Sequence, residues 1–260
     1  MTRINKYIAS CTGYSRRKAE ELVLAGRVKV SSSACPVPNG ARVIPDTSLV
    51  IPAKAGIQPA AEVVTNLATE IKETDKVFLD DKPLKQQTFI YYALNKPMGY
   101  TTTTSDPHAK KLITELVPKD PPVFPVGRLD KNTSGLIFLT NDGDFAQRMT
   151  HPKYEKEKEY IFETDKPLSK EALEQLQKGV MLDDGMTAPA TIQIPAKVPN
   201  LGKHGITQNL YSITIHEGRN RQIRRMIEEV GAKVVKLKRV RIGEFELKNL
   251  GEGKYKTFKP

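Results

Sequence analysis

The sequence predicts an α+β protein: a small, helix-rich N-terminal domain over residues 1–82 and a larger domain with a mixed, mostly antiparallel sheet over residues 83–260. Three observations predict it. Cap-bounded helical spacing opens the chain. A Pro- and Ser-rich stretch then interrupts it. Beyond residue 88, β-prone apolar runs and short helices follow one another without the strict strand–helix–strand rhythm of a doubly wound sheet. A length of 260 residues accommodates such a pair of domains.

The elements follow in order. Ile4, Tyr7 and Ile8 have helical spacing, and Gly13 breaks that run. Ser15 is a good N-cap for a second helix that turns Ala19, Leu22 and Val23 to one face, and Gly26 stands where a C′ glycine belongs. Arg27–Val30 alternates as a strand. From Ser31 to about residue 65 the density of Ser and Pro argues for an irregular excursion. Arg42–Asp46 offers one point where a strand could resume, and Ile71–Asp81 offers the better one. Residues 82–87 read as a polar linker.

Phe89–Leu94 is an apolar strand that ends in a turn at Asn95–Gly99. Thr101–Ser105 is a polar segment, and Leu112–Val117 fits a short helix. Pro118, Pro121, Pro122 and Pro125 forbid regular structure up to Val126. Leu136–Thr140 is a strand, and Asn141–Asp144 is a turn or helix cap. Tyr160–Phe162 is a strand, and Ser169 caps a helix closed by Gly179. Val180–Leu182 and Ala190–Ile194 are strands around an Asp183-Asp184-Gly185 turn. Leu210–Ile215, a helix over Gln222–Val230 and a basic strand over Lys233–Ile242 complete the pattern.

Forty-one Lys and Arg against 30 Asp and Glu leave a net charge of +11, which points to a polyanionic partner, nucleic acid first and an acidic membrane second. The charge is clustered. Residues 1–29 hold seven Lys/Arg and two acidic residues, and residues 216–241 hold nine and three. No apolar window is long enough to span a membrane, and no apolar run of signal-peptide length follows Arg3 and Lys6. The expectation is a cytoplasmic monomer. Two cysteines and four scattered histidines offer neither a disulfide framework nor a metal cluster, so no metal or other cofactor is expected.

Chemistry is concentrated in three blocks. Pro125-Val126-Gly127-Arg128-Leu129-Asp130 runs through a polar loop into the apolar strand, which holds a carboxylate rigidly. Lys158-Glu159-Tyr160 opens another strand. His216 to Met226 contains Arg219, Arg221, Gln222-Ile223-Arg224 and Arg225. With Asn95-Lys96-Pro97-Met98-Gly99-Tyr100 ahead of them, and in this order, the blocks resemble the pseudouridine synthases of the RsuA/RluB/RluF family over residues 88–258. Ser15-Arg16-Arg17-Lys18-Ala19-Glu20-Glu21-Leu22, followed by Gly26-Arg27-Val28, resembles the S-four-like RNA-binding domain of ribosomal proteins. Against that pattern, residues 31–65 are an insertion.

The resemblance implies a function and a site. The reaction would be the isomerisation of a uridine in ribosomal RNA to pseudouridine, on a nucleotide flipped out of its stack. Asp130 would act on the ribose, Arg224 would pair with Asp130, and Tyr160 would stack on the base. Leu237 would lie beside the base, and Arg128 would fill the vacated space or bind a phosphate. Arg16, Arg17, Lys18, Lys96, Arg219, Arg221 and Arg225 would bind RNA. No cofactor or metal would be needed, since the substrate remains one molecule.

Two other classes stay open on the residues alone. A non-catalytic RNA-binding or ribosome-assembly protein explains the charge equally well but leaves the Arg-Leu-Asp turn, Tyr160 and Arg224 as coincidences. A phosphate-handling hydrolase would need Asp130 to gather with Asp142 and Asp144.

Overall fold

The computed structural model describes residues 1–31, 61–106, 109–194 and 209–260. They divide into two units, Met1–Thr88 and Phe89–Pro260.

In the first unit, strand β1 (Thr2–Arg3) leads into helix α1 (Ile4–Thr12), which stops at Gly13 in the left-handed conformation. The Ser15 side chain accepts from the Lys18 backbone N–H and starts α2 (Arg16–Leu24). Gly26, two residues past that helix, has φ +67°, which a C′ position favours. Strands β2 (Val28–Ser31), β3 (Glu62–Val63), β5 (Lys76–Leu79) and β6 (Lys82–Pro83) pair in the order β3-β2-β5-β6. β4 (Glu70–Ile71) pairs with β1. Ile4, Ile8, Leu22, Val23, Ile71 and Val77 form the core.

Three expectations are corrected here. The strand expected over residues 71–81 is two strands, because Lys72 and Asp75 close a turn between them. The excursion ends before Glu62, since Glu62 and Val63 pair with β2. The linker over 82–87 begins as a strand, β6, paired with β5. Arg42–Asp46 lies outside the described residues, as does most of the excursion.

The second unit is built on nine strands. They are β7 (Tyr91–Lys96), β8 (Phe124–Val126), β9 (Ser134–Thr140), β10 (Lys158–Thr164), β13 (Thr191–Gln193), β14 (Leu210–Ile215), β15 (Val234–Ile242), β16 (Phe245–Glu246) and β17 (Tyr255–Thr257). The main path is β13-β14-β10-β15-β9-β7-β17. Every pairing in the sheet is antiparallel except β15 with β9, where Lys238 meets Ser134 and Arg239 meets Gly135. That short parallel seam joins two antiparallel halves.

β9 is buried on both faces, which explains its unbroken apolar run. Leu136 and Phe138 point into one core cluster, and Ile137 and Leu139 into the other. Prolines did not exclude a strand before Gly127. β8 pairs with β9 through Pro125 opposite Leu139, at a place off the main path where a missing N–H is tolerated.

Helices complete the unit. α3 (Gly143–Thr150) is capped by Asp142, and α4 (Lys170–Lys178) by Ser169. The run expected to be helical after Leu112 is a single 3₁₀ turn, Ile113–Leu116. The Asp183–Gly185 turn joins a two-residue hairpin, β11 (Met181–Leu182) and β12 (Gly185–Met186), while β13 belongs to the main sheet. α5 (Gln222–Glu229) ends just before Gly231, which has φ +78°. None of the described helices is long and apolar enough to cross a membrane.

Candidate active site

Gly127, at φ +73°, turns the chain out of β8, and residues 128–133 cross to β9 as a loop. The backbone of this loop is held almost carbonyl by carbonyl. The Leu129 carbonyl accepts from the Thr102 hydroxyl at 2.7 Å, and the Lys131 carbonyl from the Gly99 N–H at 2.8 Å. Arg224 Nη2 donates to the Asn132 carbonyl at 2.8 Å. Lys96 Nζ donates to the carbonyls of Asp130 at 3.1 Å and Thr133 at 2.8 Å. The Asp130 main chain is thereby fixed, while its side chain is partly exposed and has no ion-pair partner among the described residues.

Lys96 is therefore not an RNA contact. It is fully buried, and its ammonium serves the carbonyls of this loop. Burial pulls its pKa down from 10.5 to about 8, with Asp130 pushing the other way.

The expected Arg224–Asp130 ion pair is also corrected. Arg224 is buried at the start of α5, and its two Nη atoms donate to the carbonyls of Val234 and Asn132. Both Nη atoms go to main chain, so the guanidinium ties α5 and β15 to the 128–133 loop without touching the carboxylate, and its Nε is buried with no hydrogen-bond partner among the described residues. Burial lowers its pKa, the Arg221 charge adds to that, and Asp130 opposes it. Asp130 thus lies in the field of two cations, Lys96 and Arg224, neither of which occupies its oxygens.

Tyr160 and Leu237 stand on adjacent strands, and both line the same cleft as Asp130. Between β10 and β15 the register slips by one residue at Val240, so that Arg239 faces Tyr160 and Arg241 faces Glu159. In a regular strand Arg239 and Arg241 would share a face. The bulge sends Arg239 into the cleft and leaves Arg241 to bond Glu159 at 2.9 Å on the other side. Lys158, one turn of the pleat from Tyr160, has its pKa lowered by burial and then by Arg239.

The cleft has a volume of about 710 Å³ and is lined by Arg128, Asp130, Tyr160, Arg224, Leu237 and Arg239, among others. That is room for a nucleotide. Arg128 and Arg221 are exposed at it. Arg219 and Arg225 do not stand free for phosphate. Arg219 donates to the carbonyls of Gly185 and Met186 and bonds Glu217, and Arg225 grips the Asp184 carboxylate with both Nη atoms. Their planar forks clamp the β11–β12 hairpin onto the start of α5. Arg16, Arg17 and Lys18 are exposed on α2 of the first unit.

Three contributors had no signal in residue type. Thr102 read as part of a polar surface segment, Gly135 as loop, and Arg239 as one cation in a basic strand. Gly135 is where β9 and β15 meet. It has φ +107°, and a Cβ there would stand 2.2 Å from the Arg239 carbonyl oxygen. Gly135→Ala is expected to force apart the seam that carries Leu237 and Arg239. Overpacking against backbone and a strained φ together should destabilise this unit by about 4 kcal/mol, measured by chemical denaturation.

Asp142 is spent on structure. It accepts from the N–H groups of Asp144 and Phe145 and from the Tyr91 hydroxyl, whose pKa is pushed up to about 12 by burial and by that bond. Among the described residues no group of three potential ligands gathers for a metal. The hydrolase alternative loses the carboxylate cluster it needed.

A mixed sheet that presents Asp130 on the wall of a basic, nucleotide-sized cleft fits an enzyme that acts on nucleic acid. Comparison with known proteins makes the class specific. The family model for RNA pseudouridylate synthase matches residues 90–229. The chain is 36% identical to the ribosomal large subunit pseudouridine synthase B of Bacillus subtilis, over 100% of this chain and 93% of that protein. It is 32% identical to the ribosomal small subunit pseudouridine synthase A of Salmonella typhimurium, over 98% and 95%. A crystal structure of a pseudouridylate synthase superposes with a TM-score of 0.61 at 26% identity, covering 100% of this chain and 96% of that one. The chain belongs to the RNA pseudouridine synthase family, in its RsuA/RluB branch.

Proposed function

We propose that this enzyme isomerises a uridine within ribosomal RNA to pseudouridine, with Asp130 acting on the ribose of a flipped-out nucleotide. One observation carries the assignment of Asp130. Its main chain is fixed from several sides, yet its carboxylate has no ion pair among the described residues, in a cleft that also holds Tyr160, Arg224 and Leu237. A group that must form and release a bond to substrate needs such a position, held but uncommitted. The substrate assignment draws on the relatives, whose names place them on the ribosomal subunits.

The chemistry balances without an added reagent. The bond from the ribose C1′ to uracil N1 breaks, the uracil turns, and a bond from C1′ to C5 forms. The C5 hydrogen leaves as a proton and N1 gains one. Asp130 serves the sugar, as nucleophile or as base. Tyr160 offers its ring to the turning base, and Leu237 walls the pocket beside it. Arg128, exposed at the cleft, takes the space the nucleotide vacated or a neighbouring phosphate.

The domain layout is part of the proposal. The first unit acts as an S-four-like RNA-binding module through Arg16, Arg17 and Lys18, with an insertion after β2. With Lys96, Arg219 and Arg225 removed from the list of contacts, five exposed cations remain: these three, Arg128 and Arg221. RNA affinity should then fall with salt at a log–log slope of about −3.5 for single-stranded contacts. A binding titration between low and physiological salt checks it, and a flat response counts against the basic cleft as the RNA site. The function itself is tested by mapping pseudouridine in ribosomal RNA from cells with and without the gene. Loss of one or a few sites is the expected result, and an unchanged map is the contrary one.

A further inference from the structure

Arg239 has features that neither the fold nor the proposed reaction uses. It is buried, 4% exposed, and has no carboxylate partner among the described residues. Its Nε donates to the Leu136 carbonyl at 2.7 Å, its Nη1 lies 3.5 Å from the Tyr160 hydroxyl, and its Nη2 is buried with no hydrogen-bond partner among the described residues. The guanidinium carbon stands 5.9 Å from the centre of the Tyr160 ring. A buried cation without a counter-ion is an expensive way to fill space, and an apolar side chain would pack there at lower cost. Two backbone devices nevertheless deliver it. The slip at Val240 turns it to the Tyr160 side, and Gly135 lets β15 approach β9 closely enough for the Leu136 bond.

We infer that Arg239 is a positioning residue that directs the Tyr160 hydroxyl at the substrate. Anchored through Nε to β9, it donates from Nη1 to the phenol oxygen. An oxygen that accepts from the guanidinium must point its own hydrogen elsewhere, and the open side is the cleft. The 3.5 Å contact is of the long kind that tightens when substrate fills a site. Tyr160 is thus presented as a hydrogen-bond donor to the turning uracil, whose two carbonyls are acceptors. This rests on Tyr160 meeting the target base, as proposed above.

A double-mutant cycle on the full-length protein tests it. Single-turnover pseudouridine formation, RNA affinity and thermal unfolding are measured for the unmutated protein, Arg239→Met, Tyr160→Phe and the double variant. Arg239→Met is expected to slow the reaction about 30-fold, within the coupling range of touching side chains, with RNA affinity changed less than about threefold. In the Tyr160→Phe background the same substitution should slow it by less than about threefold. Equal losses in both backgrounds overturn the inference, as does a loss confined to affinity. If Arg239→Met does not fold, Arg239→Lys replaces it in the same cycle and is held to the same criterion. A Tyr160→Phe protein that reacts at the normal rate removes the base-facing role of the hydroxyl, and the inference falls with it. That result is distinguishable from additive losses, which leave the role of Tyr160 standing and remove only that of Arg239.

Discussion

Asp130→Asn is expected to abolish pseudouridine formation while leaving the fold and RNA affinity nearly intact. The amide keeps the size and shape of the side chain but removes its charge and its nucleophilicity. Single-turnover rates should fall by roughly 10⁴-fold or more, the scale seen when a nucleophile is removed from another covalent-catalysis enzyme. Stability should change by no more than about 1 kcal/mol, because the carboxylate makes no ion pair among the described residues that the substitution would break. Binding should persist through Arg16, Arg17, Arg128 and Arg221. Near-normal turnover by a folded Asp130→Asn protein would remove Asp130 from the chemistry.

Lys96→Met should cost both stability and rate. The carbonyls of Asp130 and Lys131 keep backbone donors, from Thr133 and Gly99. Those of Pro97 and Thr133 lose the ammonium that now serves them at 3.2 and 2.8 Å. One buried and one half-buried acceptor losing that donor, partly offset by no longer burying a cation, should lower stability by about 2 kcal/mol. The loop they belong to carries Asp130, and a displacement of about 1 Å there would slow the reaction about 100-fold.

The effect on stability depends on pH, with a definite sign. The native pKa of Lys96 is about 8 and its ordinary value is 10.5, so between those values the unfolded chain holds a proton that the folded chain has released. Stability carried by this group therefore rises with pH across that window and is lowest below pH 8. The stability gap between the unmutated protein and Lys96→Met should widen from pH 8 towards 10.5, as followed by denaturation at several pH values. A gap that narrows would contradict the assignment.

Local rules made much of the fold legible. Ser15, Asp142 and Ser169 act as caps because a cap is decided by a side chain and the backbone within three residues of it. The strand from Leu136 declared itself because burial on both faces leaves an unbroken apolar run, and the strand from Leu210 because apolar and polar residues alternate along it. What the chain hid depends on distant partners. Pro125 argues against a strand until β9 is known to lie beside it at an edge. The alternation of β15 puts Arg239 and Arg241 on one face, and only the register against β10 separates them.

The site divides the same way. Asp130, Tyr160, Arg224, Arg128 and Leu237 converge on one cleft, as their motifs implied. Basic residue type alone could not tell an RNA contact from a structural cation. Lys96 has its carbonyls in a loop more than 30 residues away, and Arg219 and Arg225 have their acceptors on a hairpin that precedes them by more than 30.

In the proposed reaction a uridine of ribosomal RNA exchanges its bond to the ribose from N1 to C5. That exchange expels the hydrogen on C5, so the direct measurement is release of tritium from ribosomal RNA whose uridines carry tritium at C5. Under single turnover with saturating enzyme, about one tritium per target site should be released, at the rate at which pseudouridine appears, and none with Asp130→Asn. No release by the folded, unmutated protein, on free ribosomal RNA or on assembled subunits, would contradict it.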